Sequence, residues 1–169
     1  RPSKALIENG VEYIELRSID NNIFLNNGID ICQMHFIELL IIYCLFYPDS
    51  KISDDEYFEI KDNLKKVAHN GRNNETCLKV GERNLQINIA VKILLDSLME
   101  IAKTMDKIMG DKNFYEKCIL EQKKKIHDNK SLPSNFMLNE MKNKGMTFYE
   151  LCMENIWRQK KYFDEMKKD

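Results

Sequence analysis

Glu15 and Arg17 stand two residues apart in the stretch GVEYIELRSID, residues 10–20, and their types suit them to chemistry. Around them Val11, Ile14, Leu16 and Ile19 are β-prone and apolar, which favours a pleated, partly buried strand. On a strand, side chains two apart lean from one face, with Cβ atoms roughly 6–7 Å apart. Tyr13, Glu15 and Arg17 are then expected to project together, with Glu12, Ile14, Leu16 and Ser18 on the opposite face. A carboxylate and a guanidinium fixed side by side can hold a metal ion and a phosphate in constant relation. The same pair can also simply neutralise itself, and an exposed ion pair of that kind contributes only ~0–1 kcal/mol. Spacing alone leaves both readings open.

The elements that must position this pair are legible on either side. Pro2 suits a first helical turn and Asn9-Gly10 a left-handed stop, so a short helix precedes the strand. Residues 20–28, rich in Asn, supply turn chemistry and read as a loop. Asp30 with Gln33, Ser53 with Glu56, and Thr147 with Glu150 have the spacing of capping boxes. Each is flanked by a hydrophobic staple: Ile29 with Met34, Ile52 with Tyr57, and Met146 with Leu151. Pro48 forces the first of these helices to finish, and Asn70-Gly71 ends the second.

The longest helix is expected over residues 85–109. Ile87, Val91, Leu94, Leu98, Ile101, Met105 and Ile108 recur at alternating spacings of four and three. Ile93, Leu95, Ala102 and Met109 widen that stripe beyond a coiled-coil seam, which suits a helix packed among several others. Two more helices are expected over 113–127 and 135–144, separated by Leu132-Pro133-Ser134. The fold class is therefore mainly α with one N-terminal strand: strand and flanking loop over 1–28, helical region over 29–169. A lone strand cannot satisfy its own edge groups. Either its partner sheet lies outside this chain or the strand does not form.

With 169 residues the chain can build one domain with its own core. A net charge of −1, balanced between many residues of both signs, argues against a nucleic-acid partner, which needs a dominant basic face. Lys123, Lys124 and Lys125 read as a solvated helix face. The five cysteines are odd in number and widely scattered, most of them within apolar helical patterns, where a free thiol packs as a small hydrophobe. They suggest a reducing compartment without a disulfide framework. Cys32 and His35 have metal-like spacing with no second pair, so both read as core. His69 and His127 fall near helix ends with no catalytic context. Residues 36–47 include Glu38 and are too short for the roughly 20 apolar residues of a spanning helix. Arg1 in first place, without a signal-peptide pattern, suggests a piece of a longer chain.

In its wording the segment resembles the bacterial glutamate–cysteine ligase family. The resemblance begins at Arg1-Pro2-Ser3, includes Ala5-Leu6, and is strongest over GVEYIELRS. It continues through Asp20, Phe24 and Gly28-Ile29-Asp30 into the first long helix, and Asn70-Gly71-Arg72 belongs to it. Beyond about Gly81 it is one of helical layout. Asn22-Ile23 departs from the family pattern, which usually has Asn-Pro before the aromatic.

The resemblance implies the C-terminal portion of a cytoplasmic, monomeric ligase about three times longer, with a larger α+β, glutamine-synthetase-like fold. That enzyme joins the γ-carboxylate of L-glutamate to L-cysteine through γ-glutamyl phosphate, at the expense of ATP, as the first step of glutathione biosynthesis. It implies Glu15 as a Mg²⁺ ligand, Arg17 as the catalytic contact to the transferring phosphate, and Tyr13 with Arg17 bordering the nucleotide. This piece alone is expected to be inactive. A competing expectation is a non-catalytic helical interaction module. The ligase reading expects exposed apolar surface at the strand edge; the module expects it along the long helix. A metal-binding regulatory domain finds little support in the incomplete Cys and His spacings.

Overall fold

The structure, a computed structural model, describes residues 2–48, 51–110 and 112–167; Arg1, where the resemblance begins, lies outside them. In chain order it runs α1 (Pro2–Asn9), α2 (Ile31–Phe46), α3 (Asp54–Asn70), β1 (Cys77–Val80), β2 (Arg83–Gln86), α4 (Ile87–Met109), α5 (Phe114–His127), a 3-10 turn (Asn129–Ser131), α6 (Pro133–Lys144) and α7 (Phe148–Met166). The chain is mainly helical, as its periodicity requires.

Helix starts follow their caps. Ser53 and Glu56 form a complete capping box at α3, and Thr147 and Glu150 form another at α7. Asp30 accepts the Gln33 N–H at 2.7 Å, the cap half of the expected box at α2. Backbone and hydroxyl hydrogen bonds from Thr147 hold the Glu150 carboxyl below the usual carboxylate range. Pro133 occupies the first turn of α6, two residues earlier than the sequence suggested, where its missing N–H costs nothing.

The core lies where α2, α4 and α5 meet: Leu39, Leu95, Leu98, Ala102, Tyr115 and Ile119 are buried together. Along α4 the buried positions are Leu95, Leu98, Ala102 and Asp106. That face is turned from the expected stripe, leaving Ile108 exposed. Asp106 is buried because it does the work of a cap for another helix. Its carboxylate accepts the N–H of Tyr115 at 2.9 Å and of Glu116 at 3.1 Å, two of the orphan donors at the start of α5. Asn113, the N-cap of α5 by position, sits left-handed at φ 61° and makes no side-chain cap bond.

Three expectations need correction. The strand expected near residues 11–18 is not formed: residues 10–22 carry no ladder, and the sheet among the described residues is the β1–β2 antiparallel pair. The physical reason is the one that made a lone strand suspect, since among the described residues no neighbouring edge meets its N–H and C=O groups. The second correction is that hairpin itself, whose second strand takes residues 85 and 86 from the helix expected to begin at 85. Gly81 at φ +59° opens its two-residue turn. Asn63 on α3 holds β1 in place, donating to the Lys79 carbonyl at 2.6 Å and accepting its N–H at 2.9 Å. The third concerns the cysteines. Cys32 near the start of α2 and Cys118 on α5, with Cα atoms 4.9 Å apart, form a disulfide across 86 residues of sequence; Cys44, Cys77 and Cys152 are free.

Candidate functional site

The Glu15–Arg17 segment leaves α1 at Gly10, whose φ of +74° turns the chain out of the helix. Gly10 closes that end by donating to the Leu6 carbonyl at 3.1 Å. From there the backbone runs without regular pairing to the loop over 20–28. Arg17 Nη2 donates to Glu15 Oε2 at 2.8 Å, so the two side chains do share a side. Both are largely in solvent, at 82% and 59% side-chain exposure. Val11, Tyr13, Ile14 and Leu16 around them are exposed as well. Tyr13 lines a shallow depression of about 360 Å³ with Ala5, Leu6, Asn9, Gly10 and Glu12. Glu12 and Tyr13 therefore border the same hollow, unlike the strict alternation expected of a strand.

Downstream, the loop is fixed where the segment is not. Asn22 donates to the Gly28 carbonyl at 2.8 Å, closing residues 22–28 on themselves. The Asn22 side chain accepts the Phe24 N–H at 3.1 Å, an Asx-type turn. Gly28 has φ +73°, and a Cβ there would fall 1.8 Å from the Asn21 side-chain oxygen, so both conformation and space call for glycine. Phe24 meets Phe136 of α6 edge to face at 4.7 Å. From α7, Arg158 donates to the Phe24 carbonyl at 2.8 Å, and Gln159 donates to the carbonyls of Ile23 and Leu25 at 2.8 and 3.0 Å. Reading the sequence missed both residues, because partners 134 or more positions apart leave no local pattern.

Elsewhere the polar groups join elements together. Arg72, in the Asn-Gly-Arg turn, donates to Asn135 Oδ1 at 3.0 Å and to the Ser134 hydroxyl, tying the end of α3 to α6. His35 contacts Glu38 at 2.9 Å, and the Tyr115 hydroxyl donates to the same carboxylate oxygen at 3.0 Å. His35 also packs edge-on against Tyr115 and Phe114, the interior role expected of it. Among the described residues no group of three or more His, Cys, Asp or Glu could hold a metal ion. No helix among them is long and apolar enough to cross a membrane.

The geometry thus defines a helical platform that presents an exposed carboxylate–guanidinium pair on an apolar segment. Comparison with known proteins gives that arrangement its context. The family model for glutamate-cysteine ligase matches residues 1–67. A glutamate–cysteine ligase of Alcanivorax borkumensis is 29% identical over 163 residues, covering 96% of this chain and 31% of the relative. One of Clostridium acetobutylicum is 33% identical over 154 residues, covering 89% of this chain and 31% of the relative. The crystal structure of the Francisella tularensis glutamate–cysteine ligase, solved in complex with AMP, superposes with a TM-score of 0.84 at 26% identity, over 96% of this chain and 32% of that one.

The chain belongs to the glutamate–cysteine ligase family. It spans about a third of the length of the relatives it matches.

Proposed function

We propose that this chain is the C-terminal portion of an ATP-dependent glutamate–cysteine ligase, to which it contributes Glu15 and Arg17. The observation that carries this reading is the exposed Glu15–Arg17 pair on an apolar segment, inside the residues matched by the family model. Its exposed apolar side chains and unmet backbone groups suit a strand that completes a glutamine-synthetase-like sheet supplied by the rest of the enzyme. Meanwhile α4 buries Leu95, Leu98 and Ala102 against α2 and α5, so its central face is already occupied, while Ile89, Ile93, Ile108 and Met109 stay exposed along it.

The chemistry accounts for the residue types. A carboxylate has no useful leaving group, so an oxygen of the glutamate γ-carboxylate first attacks the γ-phosphorus of ATP, and ADP leaves. The cysteine amine then attacks the acyl carbon of γ-glutamyl phosphate, loses a proton, and expels inorganic phosphate. Phosphoryl transfer depends on in-line positioning and charge neutralisation. Arg17 would present its planar fork to the transferring phosphoryl oxygens, where charge develops. Tyr13 would border the nucleotide. The relative solved with AMP is consistent with a nucleotide site in this family.

Glu15 fits one place in a Mg²⁺ shell: it offers a hard carboxylate oxygen, accessible and neutralised by Arg17. Mg²⁺ commonly takes one or two carboxylates and completes its octahedron with phosphates and water. The remaining protein ligands would come from outside this chain. When bound, the ion would neutralise phosphate charge. Cytoplasmic location and a monomeric state go with the same reading.

The experiment is an assay of the complete protein carrying this chain, supplied with ATP, Mg²⁺, L-glutamate and L-cysteine. Mass detection of γ-glutamylcysteine with one ADP released per dipeptide is the expected result, with no product from this chain alone. Absence of the dipeptide from the complete, folded protein would overturn the reading.

A further inference from the structure

The last helix takes hold of the loop that follows the Glu15–Arg17 segment. Gln159 uses a single amide nitrogen to donate to the carbonyls on either side of Phe24, and Arg158 donates to the carbonyl of Phe24 itself. Three consecutive backbone acceptors, of residues 23, 24 and 25, are thus met from α7. The capping box at Thr147 and the buried Leu151 and Asn155 fix α7 itself upstream. Gln159 is the better sheltered of the two donors, half-buried where Arg158 is exposed.

Asn22, where the closed loop begins, is only five positions beyond Arg17. Five extended residues reach at most about 17 Å. The position of the loop therefore limits where the Arg17 fork can lie, and with the segment held as a strand in the complete protein a shift of the loop along α7 would be passed on to it. Reactive geometry is sensitive on that scale: a displacement of about 1 Å can cost on the order of 100-fold in rate.

We propose that Gln159, assisted by Arg158, is a positioning residue for phosphoryl transfer: it anchors the loop over 22–28 and thereby sets the placement of Arg17 and Glu15. The proposal rests on the ligase reading above. Gln159 touches no substrate in this account and acts through the loop alone.

The test compares Gln159→Glu and Gln159→Lys in the complete protein, with Arg17→Lys beside them. Gln159→Glu keeps size but replaces the donor with a carboxylate facing two carbonyls; Gln159→Lys restores a donor. The expected result for Gln159→Glu is faster amide exchange at residues 22–28, with protection in α4 and α5 intact. Turnover should fall about tenfold or more, the KM for ATP changing far less, and Gln159→Lys should recover part of it. Unchanged exchange at 22–28 overturns the proposal. So does a loss of turnover that tracks a general loss of protection in α4 and α5 without recovery by lysine, which would mark a merely structural role. Normal turnover of Gln159→Glu beside an impaired Arg17→Lys overturns the positioning role alone. Normal turnover of Arg17→Lys instead overturns the ligase reading of the site, and the positioning role with it.

Discussion

Arg17 donates to Glu15 at 2.8 Å from a position that is 82% exposed, so the pair is formed yet joins no other element among the described residues. An exposed ion pair is worth little to stability. A guanidinium with most of its donors facing solvent is available to an anion, and the neighbouring carboxylate keeps one oxygen free for a cation. The exposed Val11, Ile14 and Leu16 around the pair would be covered when a sheet packs onto the segment, excluding water from the charges. Burial of that kind is what would make the pair strong, since electrostatic interactions gain as water leaves.

Glu15→Gln keeps the size of the side chain and removes the negative charge that a Mg²⁺ ligand supplies. In the complete protein, turnover is expected to fall strongly at low Mg²⁺ and to recover in part as Mg²⁺ is raised. Steady-state rates across a Mg²⁺ titration check this, and near-normal turnover at low Mg²⁺ would remove the metal role.

Arg17→Lys separates a phosphate contact from simple neutralisation of Glu15. An ammonium keeps the charge and loses the two parallel hydrogen bonds of the guanidinium. Losing one preorganised donor to developing charge typically costs roughly 10²–10³ in turnover. The expected outcome is a fall in kcat of that order in the complete enzyme. A rise confined to the KM for ATP, with kcat intact, would mean uniform ground-state binding instead and would defeat the assignment.

The helical frame was legible because its signals are local. Ser53 and Glu56, Thr147 and Glu150, and Gly10 act within one turn of the boundary they set, and each structural boundary falls beside them. The hairpin was not legible. Its strands are four residues long and carry Lys79, Arg83 and Asn84, so no alternation marks them, and Asn63 of a preceding helix stabilises them. Asp106 was hidden for a similar reason: a single acid on an apolar face reads as an interruption until the helix it caps is in place. Cys32 and Cys118 are joined by packing of α2 on α5, which spacing along the chain does not report.

The site divides in the same way. Glu15 and Arg17 stood out by their two-residue spacing, and the structure brings them together. The extended pairing expected to carry them depends on an edge that none of the described residues supplies. Gln159 and Arg158 had no signal at all, because their acceptors are backbone carbonyls, which every residue possesses.

Asp106→Asn tests a cap supplied by one helix to another. The amide oxygen can still accept one N–H from α5, but its NH₂ meets the other and leaves a buried donor unmatched. Leaving a buried group unsatisfied typically costs roughly 1–3 kcal/mol. The urea midpoint of the chain is expected to fall accordingly, with faster exchange of the Tyr115 and Glu116 amides. An unchanged midpoint together with unchanged exchange at those two amides would show that the Asp106 carboxylate does not hold the start of α5.

Glu150 gives the start of α7 a pH dependence whose sign follows from its hydrogen bonds. The Thr147 backbone N–H donates to the Glu150 carboxylate at 2.8 Å, and the Thr147 hydroxyl does so at 2.8 Å. These bonds favour the ionised form and lower its pKa in the folded chain. A group whose folded pKa is depressed contributes stability that is fully present above its unfolded pKa, and that contribution is lost as pH falls through the folded value. Amide exchange, corrected for its intrinsic pH dependence, should therefore show the first turn of α7 opening more often as the solution becomes more acidic than the ordinary glutamate range. Glu150→Gln keeps a side-chain acceptor but cannot ionise, so it should flatten that acid-side change. If the variant and the parent lost protection at Glu150 and Leu151 along the same pH curve, the dependence would belong to other carboxylates, and the capping box would not be its source.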